Sequence, residues 1–169
     1  MSTYHHGDLA AAVLAAAAKM LEKEGLAGVS VRAAARRAGV SHSAPYRHFP
    51  DRDALLAALA ADGFKQLEAA LEGRTGKELG EAYVRFALER PQRFRLMFAG
   101  HISNPELLAK FEGVFAGMGS DARFAAAAGW SLVHGLAQLV LDGHFENNAD
   151  FVAKVLGSVR FAVGAQRSA

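Results

Sequence analysis

Between Ser30 and Phe49 the chain reads SVRAAARRAGVSHSAPYRHF, and this stretch gathers the side chains best suited to gripping a polyanion. Arg32, Arg36, Arg37 and Arg47 carry guanidinium forks that match phosphate geometry. Ser30, Ser41, Ser43, His42, Tyr46 and His48 add hydrogen-bonding groups of short reach. The charge around them agrees. Residues 1–50 hold six basic side chains (Lys19, Lys23, Arg32, Arg36, Arg37, Arg47) against three acids, whereas residues 51–169 hold 13 against 14. The first third is therefore basic and the remainder nearly neutral, which points to a polyanion reader joined to a body with another task.

Other chemistries find no residues to carry them. The chain has no cysteine, which excludes a disulfide scaffold, a thiolate zinc site and a cysteine nucleophile. His5 and His6 are adjacent but have no third or fourth ligand at metal spacing, so neither a metal nor another cofactor is expected. No nucleophile–base pair and no phosphate-binding glycine loop appears, so an enzyme is not expected. The apolar run Leu9–Ala18 follows Asp8 with no basic residue before it and stops at Lys19. That is neither an export signal nor a membrane span, and a cytoplasmic protein is expected.

Helical periodicity runs through the chain, and strand-like alternation is absent. The class is all-α, with about nine helices. Asp8 caps a first helix to about Glu24, closed by Gly25. Ser30 caps a short one through Ala38, closed by Gly39. Ser41 caps a third that must stop by Phe49, because Pro50 disfavours helical geometry before it. Asp51 opens a fourth to about Glu72, and Gly73–Gly76 breaks the chain. Further helices are expected over Lys77–Glu89, from Pro91, from Pro105 (capped by Asn104), from about Asp121 to Leu141, and from about Ala149 to Ala165.

The second and third of these, joined by Gly39 and Val40, have the spacing of a helix-turn-helix, with an ordinary helical hairpin as the bland alternative. Here the residues also resemble a family. Residues 4–60 are similar to the N-terminal domain of TetR transcriptional regulators through Tyr4-His5-His6-Gly7-Asp8, Ser30-Val31-Arg32, Ala38-Gly39-Val40-Ser41 and Tyr46-Arg47-His48-Phe49-Pro50. The resemblance implies an all-α homodimer on a palindromic operator, usually a repressor released by a small ligand. It also places His42, Ser43 and Ala44 where family members meet bases. Tyr46, His48, Ser30 and Ser41 then look like phosphate contacts, Arg32 and Arg52 like phosphate clamps, and Arg47 a contact to base or phosphate. Pro45 threatens the Ser41 carbonyl with its ring, so an irregular first turn is expected.

In the second half, Trp130, His134 and Gly135 weakly resemble a pattern of one group of TetR C-terminal domains. The Asp121–Leu141 helix is apolar or small on nearly every side, which asks for a cover that a small domain cannot supply alone. Leu132, Leu136, Leu139 and Val140, with Val152, Val155, Leu156 and Val159 of the last helix, would form a two-fold four-helix dimer interface. Phe86, Phe94, Met97, Phe98, Phe111, Phe115 and Trp130, with His134 as polar anchor, either line a pocket for a small hydrophobic effector or are simply core. The organisation expected is a DNA-binding domain over 1–50 (helix-turn-helix at 30–49), a connecting helix over 51–72, and a ligand-binding and dimerisation domain over 73–169. A helical small-molecule or protein-binding module without DNA binding is the alternative.

Overall fold

The computed structural model describes residues 6–99 and 122–159. Among the described residues are seven α-helices, one 3-10 turn and no strand: α1 (His6–Gly28), α2 (Val31–Arg37), the turn Ala44–Arg47, α3 (Arg52–Leu71), α4 (Gly76–Glu89), α5 (Pro91–Phe98), α6 (Ala122–Leu141) and α7 (Ala149–Ser158). The all-α class is as expected, and seven of the roughly nine expected helices lie among the described residues. One difference is the segment after Ser41, which forms a single 3-10 turn. The helix expected from Pro105 lies outside the described residues.

Local chemistry sets the boundaries. The Ser30 hydroxyl accepts the Ala33 N–H at 3.2 Å and starts α2. Asp51 does the same for α3, accepting from Ala54 N at 2.7 Å. Gly25, at φ +70° and ψ −175°, breaks α1 where the sequence placed a C-terminal glycine. Asn148 accepts the Phe151 N–H at 2.7 Å and opens α7. That helix ends at Ser158, short of the expected Ala165, and Val159 is already extended at φ −85° and ψ 113°. Gly157 lowers helix propensity there, and the Ser158 hydroxyl donates back to the Val155 carbonyl at 2.7 Å.

The described residues fold as two compact units, one of residues through Lys65 together with 90–99, the other of Gln66–Glu89 together with 122–159. The first has a core of Val13, Ala17, Met20 and Leu21 from α1, Val31 and Ala34 from α2, Phe49 ahead of α3, Leu55 and Leu59 within α3, and Leu96 from α5. Polar links tie α5 into it. The Glu22 carboxylate accepts the N–H groups of Gln92 at 3.2 Å and Arg93 at 2.9 Å, capping the start of α5 from α1. The buried Arg93 guanidinium donates to Asp62 on α3 at 2.6 Å. Gly63 lets this crossing close: a β-carbon there would stand 2.7 Å from Met97 Sδ and 3.1 Å from Arg93 Cγ. In the second unit α4 packs on α6 and α7. Its buried face holds Leu79, Tyr83 and Phe86, and Gly80 faces Val133 and Leu156.

Glu22→Ala leaves two helix-start amides of α5 without a charged acceptor. Hydrogen bonds to charged groups contribute about 1.5–3 kcal/mol each, and water replaces part of that here. The expected loss is about 2 kcal/mol of stability, read from the midpoint of urea unfolding.

Candidate nucleic-acid interface

α2 closes on Gly39 at φ +70°, a left-handed backbone that a side chain would strain. Val40 returns its N–H to the Ala35 carbonyl at 3.1 Å and packs its side chain against the core of the first unit. The chain then runs through three exposed residues, Ser41, His42 and Ser43. Ser41 does not cap a helix. Its hydroxyl pairs with that of Ser43 at 3.2 Å, while the Ser41 carbonyl accepts Ala44 N at 3.2 Å.

Pro45 explains the short turn. It has no N–H to return to Ser41, and its ring is incompatible with an ordinary helical carbonyl four residues earlier. The ring is buried, and the Pro45 carbonyl accepts the N–H groups of both His48 and Phe49 at 2.9 Å. Phe49 is buried in the core while Tyr46, Arg47 and His48, between the two anchors, stay exposed. The expected irregularity at Pro45 is thus the whole element: one 3-10 turn held from within and displayed outward.

α2 and the turn enclose a groove of about 680 Å³ lined by Ser30, Arg32, Ala33, Arg36, Val40, His42 and Tyr46. Its walls carry two guanidinium groups, two hydroxyls and an imidazole above an apolar floor of Ala33 and Val40. Such a surface suits a phosphate backbone. Among the described residues Arg32, Arg36 and Arg47 form no hydrogen bond or ion pair, so their charge is available to a partner. Two neighbours differ. Arg37 is paired with Glu24 of α1. Arg52, expected as a phosphate clamp, donates Nε to the Val29 carbonyl at 3.0 Å and Nη2 to the Leu26 carbonyl at 2.7 Å. Its fork secures the corner between α1 and α2, a role the sequence did not reveal.

The effector-pocket candidates are drawn from both units. Phe94 and Met97 are fully buried in the first unit, where Phe98 packs edge-on against Phe64 at 5.4 Å and tilted against Phe94 at 5.0 Å. Phe86, Trp130 and His134 belong to the second unit. Phe111 and Phe115 lie outside the described residues. Trp130 and His134 meet through a residue that sequence reasoning missed. The buried Tyr83 hydroxyl lies 2.9 Å from His134 Nδ1 and accepts the Trp130 indole N–H at 3.1 Å. Burial pushes the Tyr83 phenol above its ordinary value, the Trp130 hydrogen bond only partly opposing it, and burial lowers His134. A tyrosine at helical spacing between Leu79 and Phe86 carries no sequence signal beyond core.

The proposed interface residues of α6 and α7 divide by exposure. Leu136, Val140, Val152 and Leu156 are buried, whereas Leu132 and Val155 are half-buried and Leu139 is exposed. Val159 sits just past the end of α7. On α6 Phe124 is 72% exposed, with Ala127, Ala128 and Ser131 also open, so one flank of that helix is uncovered among the described residues. Residues 123–141 are long and apolar enough to cross a membrane by length and composition alone.

Residues 13–59 match the model of bacterial regulatory proteins of the tetR family, and residues 77–159 match that of the tetracyclin repressor-like C-terminal domain. The HTH-type transcriptional regulator YobS of Bacillus subtilis (strain 168) is 27% identical, over 88% of this chain and 87% of its own. A solved structure of a protein of unknown function from Rhodococcus sp. RHA1 superimposes with a TM-score of 0.77 at 33% identity, covering 92% of this chain and 94% of that one. TetR from Acinetobacter baumannii AYE shares the fold at a TM-score of 0.65 and 20% identity, covering 86% and 91%.

His134 gives a pH prediction for the second unit. Unfolded, its imidazole takes up a proton near pH 6.5; folded, it does so only at lower pH. Its contribution is therefore fully present above about pH 6.5 and is lost as pH falls toward and through the lowered folded value. Urea midpoints measured from pH 7.5 to pH 5 should fall more steeply for the native chain than for His134→Gln.

Proposed function

The chain belongs to the TetR family of bacterial regulatory proteins, helix-turn-helix transcriptional regulators, and from this we propose that it acts as a homodimeric repressor on a palindromic operator, released by a small apolar effector. The single observation that carries the DNA contact is the groove beside the 3-10 turn. Arg32, Arg36 and Tyr46 line it, and neither guanidinium has a hydrogen-bond or ion-pair partner among the described residues. Ser30 joins them: its oxygen caps α2, and its hydroxyl hydrogen can still donate to phosphate. In this reading His48 and Ser41 add backbone contacts, and His42, Ser43, Ala44 and Arg47 face the bases. Arg52 supports the site by holding the α1–α2 corner.

Homodimerisation is supported by the open flank of α6. A helix this apolar, with Phe124 and Leu139 exposed, fits burial against a second copy. Two-fold pairing would set two reading turns about 34–36 Å apart, one helical repeat of the duplex. An effector would act by population shift, favouring a dimer geometry whose turns no longer meet successive major grooves. It can do so only through its difference in affinity for the two geometries.

Two outcomes follow. Operator affinity should fall steeply with salt, and Arg32→Ala should reduce the slope of log K against log salt by about 0.9, one phosphate contact, measured by fluorescence anisotropy. An unchanged slope would remove Arg32 from the phosphate set. Leu139→Glu should shift the sedimentation profile from dimer to monomer and abolish operator binding at concentrations where the native chain saturates. A dimer that survives this change would place the interface elsewhere.

A further inference from the structure

The turn that displays Arg47 also restricts what it can reach. In a 3-10 turn residues i and i+3 eclipse, so Ala44 and Arg47 project along one face. The neighbouring directions are taken: Pro45 is buried and Tyr46 lines the groove with α2. Arg47 is exposed and forms no hydrogen bond or ion pair within the described protein, while Arg37 and Arg52 on either side are held by Glu24 and by backbone carbonyls. We propose that Arg47 is the guanine reader of this regulator, with the Ala44 methyl against a thymine methyl on the same face. The inference rests on the DNA-binding reading above and adds the base that it selects.

The chemistry favours guanine over the other bases. In the major groove guanine presents two acceptors, N7 and O6, which a guanidinium engages with two parallel N–H groups. Adenine offers one acceptor beside a donor, and cytosine a donor, so neither completes the fork. Ala44 has no polar atom and can contribute only apolar contact, for which the thymine methyl is the complement. A 3-10 turn rises about 2 Å per residue, which separates the two side chains by about 6 Å. That is less than two base-pair steps at about 3.4 Å each. Each half-site should therefore hold a guanine and a thymine within two base pairs of one another.

The test is selection of bound duplexes from a random library by the native protein and by Arg47→Ala, followed by binding to the selected sequence with 7-deazaguanine at the implicated position. The native protein should enrich one guanine per half-site with a nearby thymine, and Arg47→Ala should accept any base at that guanine. Removing N7 should weaken the native protein about tenfold, within the range of one bidentate base contact, and leave Arg47→Ala unchanged. If Arg47→Ala enriches the unaltered motif with uniformly weaker binding, or 7-deazaguanine costs the native protein nothing, the inference is overturned and DNA binding stands. If the native protein enriches no duplex, both fall.

Discussion

The exposed turn proposed to meet DNA depends on the burial of two rings four residues apart, Pro45 and Phe49. Each is held inside the first unit, and the chain between them has no choice but to arch outward. A longer helix would distribute side chains around a cylinder and bury about half of them. A single turn pinned at both ends presents Tyr46, Arg47 and His48 together to solvent. Proline is usually read as a defect in a helix. Here the missing N–H and the constrained ring define the element, and the double hydrogen bond onto the Pro45 carbonyl closes it from within.

Charge is apportioned with similar economy. The arginines of the first third have comparable chemistry but different duties, and the division follows from which acceptors lie within reach. Glu24 and the carbonyls of Leu26 and Val29 surround the α1–α2 corner and engage Arg37 and Arg52. Arg32, Arg36 and Arg47 engage no acceptor among the described residues. A fully hydrated guanidinium loses little on meeting a phosphate, and its neutralisation releases counterions. Positions without an internal partner are thus the ones where contact with a duplex gains most.

The sequence was most legible where short-range chemistry decides. Ser30 and Asp51 as caps, Gly25 and Gly39 as left-handed stops, and Pro45 as a disruption all follow from single residues acting on their own backbone. Family likeness added the Tyr46–Pro50 signature, which lies within the matched residues 13–59. Long-range partners were not legible. Nothing local ties Arg52 to Leu26, 26 residues away, or Tyr83 to His134, 51 residues away, because those pairings exist only once helices pack. The same limit applies to Phe94 and Met97. Their i, i+3 spacing marks a buried face without distinguishing packed core from the wall of a cavity, and in the structure both are fully buried.

The crossing at Gly63 has an evolutionary consequence. Within a helix glycine is less favourable than alanine by about 1 kcal/mol, so its presence in the middle of α3 must be compensated by what it admits. What it admits is the close passage of Met97 and of an arginine held by Asp62. Positions 63 and 97 are therefore expected to drift as a pair: a lineage that acquires alanine at the first should carry a slimmer side chain at the second, and neither change would be neutral if it arrived alone.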